Sequence, residues 1–153
     1  MLGDYVDSPA TPLYPFGYGL SYTTFVYDGL EVSDATTGAP FTVSVGVRNG
    51  GERAGTEVVQ CYLRDEVARV ARPRKQLAGF TRIDLEPGAR RTVEFTIDPT
   101  QLAYYDEDMR LVVEPGAVRV MVGQLSATVA LEGAEREIAP NDRRATAVAL
   151  RDS

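Results

Sequence analysis

The sequence has 153 residues, 44% of them apolar and 25% charged, with a formal net charge of −6. This is the size of one globular domain with flanking segments and too apolar a composition for wholesale disorder. The acidic balance argues against nucleic acid or an anionic membrane surface as main partner. With no histidine and one cysteine, Cys61, a Ser-His or Cys-His nucleophile, a structural zinc site and an internal disulfide are excluded.

In chain order, residues 1–22 form a strap rich in proline, glycine and aromatics: Tyr5, Tyr14, Phe16, Tyr18 and Tyr22 stand among Pro9, Pro12, Pro15, Gly17 and Gly19. Seven of the thirteen aromatic residues lie in the first 27 positions. Such a backbone cannot build a regular element, so its rings must pack on something else. Met1-Leu2-Gly3-Asp4 does not begin a signal peptide, although the start of a fragment would leave export open. No apolar run approaches the length of a membrane span.

From Thr23 onward short β runs alternate with turn chemistry, and no stretch keeps a helical period. A first strand is expected over Thr23–Ser33, with Phe25 and Tyr27 on one face, and a second over Phe41–Arg48 after Ala39-Pro40. In the second, Val43, Val45 and Val47 alternate with Thr42, Ser44 and Gly46, the period-two pattern of a sheet with one buried face. Asn49-Gly50-Gly51 reads as a turn whose residues tolerate positive φ. The next run, Thr56–Arg64, is apolar on both faces, as expected of a central strand, and Cys61 within it reads as a small core hydrophobe.

Arg69, Arg72, Arg74 and Lys75 then make a basic loop, and Lys75 is the only lysine. A strand over Lys75–Ile83 leads to the turn Glu86-Pro87-Gly88, where proline presets φ and glycine accepts the positive value. Arg91–Ile97 alternates through Val93, Phe95 and Ile97, and Asp98 to Leu102 reads as a single helical turn or corner. Strands at Arg110–Glu114 and Ala117–Gly123 flank a second turn, Pro115-Gly116, and a last strand at Ser126–Leu131 resumes at Glu135–Ile138. Asn141–Ser153, polar and carrying Arg143, Arg144 and Arg151, is expected to be a frayed tail or a short helix. Seven or eight strands without βαβ alternation predict an all-β, two-sheet antiparallel sandwich.

The stretch Pro12-Leu13-Tyr14-Pro15-Phe16-Gly17-Tyr18-Gly19-Leu20-Ser21-Tyr22-Thr23-Thr24-Phe25 resembles the segment leading into the fibronectin type III-like domain of glycoside hydrolase family 3, the β-glucosidases and β-xylosidases. Val47-Arg48-Asn49-Gly50-Gly51, Gly55 through Leu63, Arg72 through Phe80, Leu85-Glu86-Pro87-Gly88, Tyr105-Asp106 and Val113 through Gly123 extend the resemblance in family order over residues 12–132. It implies an immunoglobulin-like (fibronectin type III-like) sandwich at the C-terminal end of a sugar-cleaving enzyme, preceded there by a barrel and an α/β domain that hold the nucleophilic aspartate and the acid/base glutamate. Neither of those domains lies in this sequence, so no catalytic residue and no cofactor is carried over. The organisation expected is a strap or interdomain linker at 1–22, the sandwich at 23–138 and a polar tail at 139–153.

Three readings of the strap stand: docking on preceding catalytic domains, covering its own sandwich, or stacking on sugar as a weak carbohydrate contact. The absence of tryptophan counts against the last. Candidate interdomain docking residues are Tyr14, Phe16, Tyr18, Tyr22, Arg72, Arg74 and Lys75. The basic loop has a second reading, as proline and charge that discourage edge-to-edge strand pairing. Asp106-Glu107-Asp108 could supply oxygens to a weak Ca²⁺ site but lacks a spaced ligand loop, and its plainer reading is a solvated turn. The leading functional reading is a non-catalytic accessory domain buttressing the catalytic domains of a β-glycosidase. The alternative is a free-standing polysaccharide- or protein-binding module.

Overall fold

The computed structural model describes residues 23–66 and 75–152. Twelve strands and two short 3-10 turns are present among them. One sheet has the order β1(Phe25–Val32), β3(Phe41–Asn49), β6(Arg90–Ile97), β12(Ala147–Asp152). The facing sheet has the order β2(Ala35–Thr36), β10(Leu125–Glu132), β9(Gly116–Val122), β4(Gly55–Asp65), β5(Gln76–Leu85). A small third sheet, β11(Arg136–Glu137), β8(Leu111–Val113), β7(Tyr104–Tyr105), closes one end.

The expected alternation makes the core. Val43, Val45 and Val47 of β3 and Val93, Phe95 and Ile97 of β6 face Val59, Cys61 and Leu63 of β4 and Val118, Val120 and Val122 of β9, all of them essentially inaccessible to water. Burial pushes the Cys61 thiol up to about 12, so the thiolate needed for reactivity does not form near neutral pH. Phe25, Tyr27, Leu30 and Val32 of β1 lean on this cluster from the edge.

The Glu86-Pro87-Gly88 turn forms as read, with Gly88 at φ +79° and Ala89 N–H donating to the Glu86 carbonyl at 2.9 Å. The Asp98 corner is the 3-10 turn Pro99–Leu102, capped by the Asp98 carboxylate accepting from Thr100 N–H at 3.0 Å. Asn49-Gly50-Gly51 differs from expectation, since neither glycine adopts positive φ. Gly51 is required instead by close approach: a Cβ there would collide with Thr23.

The segment expected as a frayed tail or short helix is an edge strand. β12 pairs with β6 from Ala147↔Thr96 to Asp152↔Arg91. Its approach is fixed by Arg143 donating to the Ala103 carbonyl, Arg144 N–H donating to Thr100 Oγ1, and Gln101 Nε2 donating to the Arg144 carbonyl. Those partners lie some forty residues away in sequence, and local composition cannot register them. Pro115-Gly116 likewise joins strands of two different sheets rather than turning a hairpin.

Asn49, wholly buried at the end of β3, uses all four hydrogen-bonding capacities of its amide. Nδ2 donates to the Arg53 carbonyl at 2.8 Å and the Leu85 carbonyl at 3.0 Å, while Oδ1 accepts from Gly51 N–H at 2.9 Å and Thr23 Oγ1 at 2.7 Å. Asn49→Asp places a carboxylate against two carbonyl oxygens and removes both donors. The expected loss is roughly 2–4 kcal/mol of unfolding free energy, read from urea denaturation followed by circular dichroism. A loss below about 0.5 kcal/mol, the range of ordinary surface changes, would show that this node does not bear load.

Candidate functional site

A strand in a two-layer sandwich buries one face only, so the apolar residues on both faces of β4 cannot all be used by the core. Val59, Cys61 and Leu63 point inward, and Thr56, Val58, Gln60, Tyr62 and Arg64 point outward. The register carries this outer set across the sheet: Val58 lies opposite Arg82, Gln60 opposite Phe80, and Tyr62 between Leu77 of β5 and Met121 of β9. Phe80 is 62% exposed, Val58 46% and Leu77 45%. Cross-strand neighbours on one face are close enough to form a continuous patch.

β9 ends at Val122 opposite Cys61, so no described strand flanks the first half of β4 on that side. A groove of about 320 Å³ opens there, lined in part by Tyr27, Val58, Gln60, Tyr62, Lys75 and Met121. Lys75 is the one docking candidate among the described residues, and its Nζ lies 4.5 Å from the centroid of the Tyr62 ring, a cation–π contact. Tyr14, Phe16, Tyr18, Tyr22, Arg72 and Arg74 lie outside the described residues. The sequence reading passed over Val58, Tyr62, Leu77 and Phe80 as docking candidates; the signal for them was the double-sided apolarity of β4.

At the groove's inner edge the Tyr27 hydroxyl donates to Glu57 Oε2 at 2.8 Å, tying β1 of one sheet to β4 of the other. Burial raises the Glu57 carboxyl above its ordinary value, against the lowering effect of the Tyr27 and Val58 hydrogen bonds. Burial, with the Glu57 charge and hydrogen bond beside it, also raises the Tyr27 phenol.

The acidic triplet forms the turn of the β7–β8 hairpin. Asp106 Oδ1 accepts from Asp108 N–H and Arg110 N–H, both at 2.9 Å, and Oδ2 accepts from Arg110 Nη2 at 2.8 Å. These bonds, the Arg110 N–H foremost, hold the Asp106 carboxyl below its ordinary value. Both oxygens are engaged within the turn. Met109 closes the turn at φ +62° with its side chain exposed.

Residues 57–126 match the family model described as the fibronectin type III-like domain. The chain carries a fibronectin type III-like domain. It is 47% identical over 132 residues to a periplasmic β-glucosidase of Salmonella typhimurium and 46% identical over 126 residues to a β-xylosidase of Formosa agariphila. These alignments cover 82% and 81% of this chain but 17% of each relative. Among solved structures, β-glucosidase 3B of Thermotoga neapolitana in complex with α-D-glucose superposes with a TM-score of 0.73 at 36% identity, over 85% of this chain and 19% of that one. The fibronectin type III-like sandwich is thus a small part of the relatives it matches, as the resemblance to glycoside hydrolase family 3 implied.

Two outcomes check the local chemistry of this domain. A carboxyl whose folded pKa is raised favours the folded state less as pH climbs from its ordinary value, 4.5, toward the raised one. Glu57→Gln, which keeps an acceptor for Tyr27, should therefore gain in stability relative to the native chain as pH rises above 4.5; a pH-independent difference in denaturation midpoints would contradict the burial assignment. Met109→Gly should stabilise the hairpin by about 0.5–1 kcal/mol, because a side chain at positive φ is strained there, and a lower melting temperature would refute that.

Proposed function

We propose that this fibronectin type III-like domain is a non-catalytic accessory domain that buttresses the catalytic domains of a β-glycosidase. The observation that carries the reading is one of proportion. Four-fifths of the chain aligns with about one-sixth of relatives named as a β-glucosidase and a β-xylosidase, and that aligned part is a β-sandwich with a valine-rich core of its own. Among the described residues, the two carboxylates with perturbed proton affinity serve structural bonds, Glu57 to Tyr27 and Asp106 to Arg110. Hydrolysis of a glycosidic bond needs two carboxyl groups set across the scissile bond, and neither of these is available for that role.

In this reading the aromatic strap and the loop carrying Arg72, Arg74 and Lys75 bind the catalytic part. The anchoring of Thr23 to Asn49 and of Gly50 N–H to the Thr24 carbonyl at 2.7 Å supports it, because it holds the start of β1 at a fixed place on the sandwich. The 153-residue chain should show no hydrolysis of an aryl β-glucoside and should associate with a separately expressed catalytic portion of such a glycosidase. Phe16→Ala with Tyr18→Ala should weaken that association more than it lowers the melting temperature. Tight polysaccharide binding without association would favour a free-standing binding module, and equal loss of association and stability would mean that the strap packs on its own sandwich.

A further inference from the structure

The two outer faces of the sandwich are chemically unlike. On the four-stranded sheet the outward positions of β3 and β6 are Thr42, Ser44, Gly46, Thr92, Glu94 and Thr96. That face is laced by ion pairs, Arg90 to Asp28 at 2.7 Å and Arg151 to Glu94 at 2.9 Å. It is a surface built for water. On the five-stranded sheet, Val58, Leu77 and Phe80, three of the seven exposed large apolar side chains among the described residues, stand together with Tyr62 and Met121. Contiguous exposed apolar surface with a polar rim marks an interaction site.

We propose that this face is the seat on which the catalytic part of the glycosidase rests, an inference that builds on the accessory-domain reading above. Proportion argues for that occupant over a second copy of the chain. Some four-fifths of the length of each relative lies outside the match, so most of the polypeptide is available as a covalently attached neighbour at high effective concentration. Position argues for it too. The basic loop joins β4 to β5 at the Leu63↔Gln76 end, and Lys75 at its close already lies over Tyr62. Lys75, the docking candidate among the described residues, thus borders the seat. Arg82 and Arg119 flank the apolar centre on the same face, beside Lys75. The complementary surface is therefore apolar in the middle and carboxylate-bearing at its rim, with Phe80 as the central anchor. Large side chains in desolvated pockets supply most of the affinity of such contacts.

Hydroxyl-radical footprinting reads side-chain exposure directly. Phe80, Tyr62 and Met121 should be oxidised readily in the isolated 153-residue chain and protected in the full-length glycosidase that contains it. Phe80→Asp should leave the thermal unfolding of the isolated chain unchanged and weaken its association with the catalytic portion at least about tenfold. If Phe80 is labelled equally in both proteins while Phe16 and Tyr18 become protected, docking stands and this face is not the seat. If no residue gains protection and no association is found, the accessory-domain reading falls with it. Protection already present in the isolated chain would also overturn the proposal. The occupant is then the strap if removing residues 1–22 restores labelling, or a second copy if dilution does.

Discussion

The architecture turns on one buried amide. Asn49 sits where β3 leaves the first sheet, and its side chain holds three backbone groups, at Gly51, Arg53 and Leu85, and Thr23 in one place. A half-satisfied amide would be costly there, because a buried donor or acceptor without a partner forfeits its full solvation. Its backbone joins in, with the N–H donating to the Ala89 carbonyl at 2.9 Å and the carbonyl accepting from Gly88 N–H at 2.8 Å. The first sheet, the end of β5 and the Pro87-Gly88 turn are thereby fixed to one another, and so is the point from which the N-terminal segment departs.

From that node the two sheets diverge in purpose. The inner faces of β3, β6, β4 and β9 are valine-rich and close-packed, and the Tyr27 to Glu57 bond ties the sheets at their margin. The outer faces follow different rules. Hydroxyls and ion pairs keep the four-stranded sheet wet, whereas the five-stranded sheet exposes a ring and aliphatic side chains in register. A small domain matching 17% of its relatives' length has reason to keep such a face, since burying it against a neighbour recovers hydrophobic free energy in proportion to area.

Strong local patterns are legible in the sequence. The alternation in Phe41–Arg48 and Arg91–Ile97, the Pro87-Gly88 turn and the Asp98 corner all depend on residues within a few positions of one another. The places where the reading missed share the opposite property. β12 needs β6 to pair with, β2 pairs in parallel with the far end of β10, and the close approach that demands Gly51 comes from Thr23, twenty-eight residues earlier. Each is set by a partner remote in sequence.

The candidate surface shows the same division. Apolar residues on both faces of Thr56–Arg64 could be read from the sequence, and they fit a strand covered on both sides. Only the assembled sandwich shows β4 central within its sheet yet open on its outer face, with Phe80, Leu77 and Met121 brought beside Val58 and Tyr62 by strand register. The sequence alone determined the longer strands with their inward-facing valines and which family the chain resembles, because period-two alternation and turn chemistry are local. The tertiary structure decided which apolar residues the core leaves uncovered, because that depends on how many layers the sheets stack and where each strand ends against its neighbour.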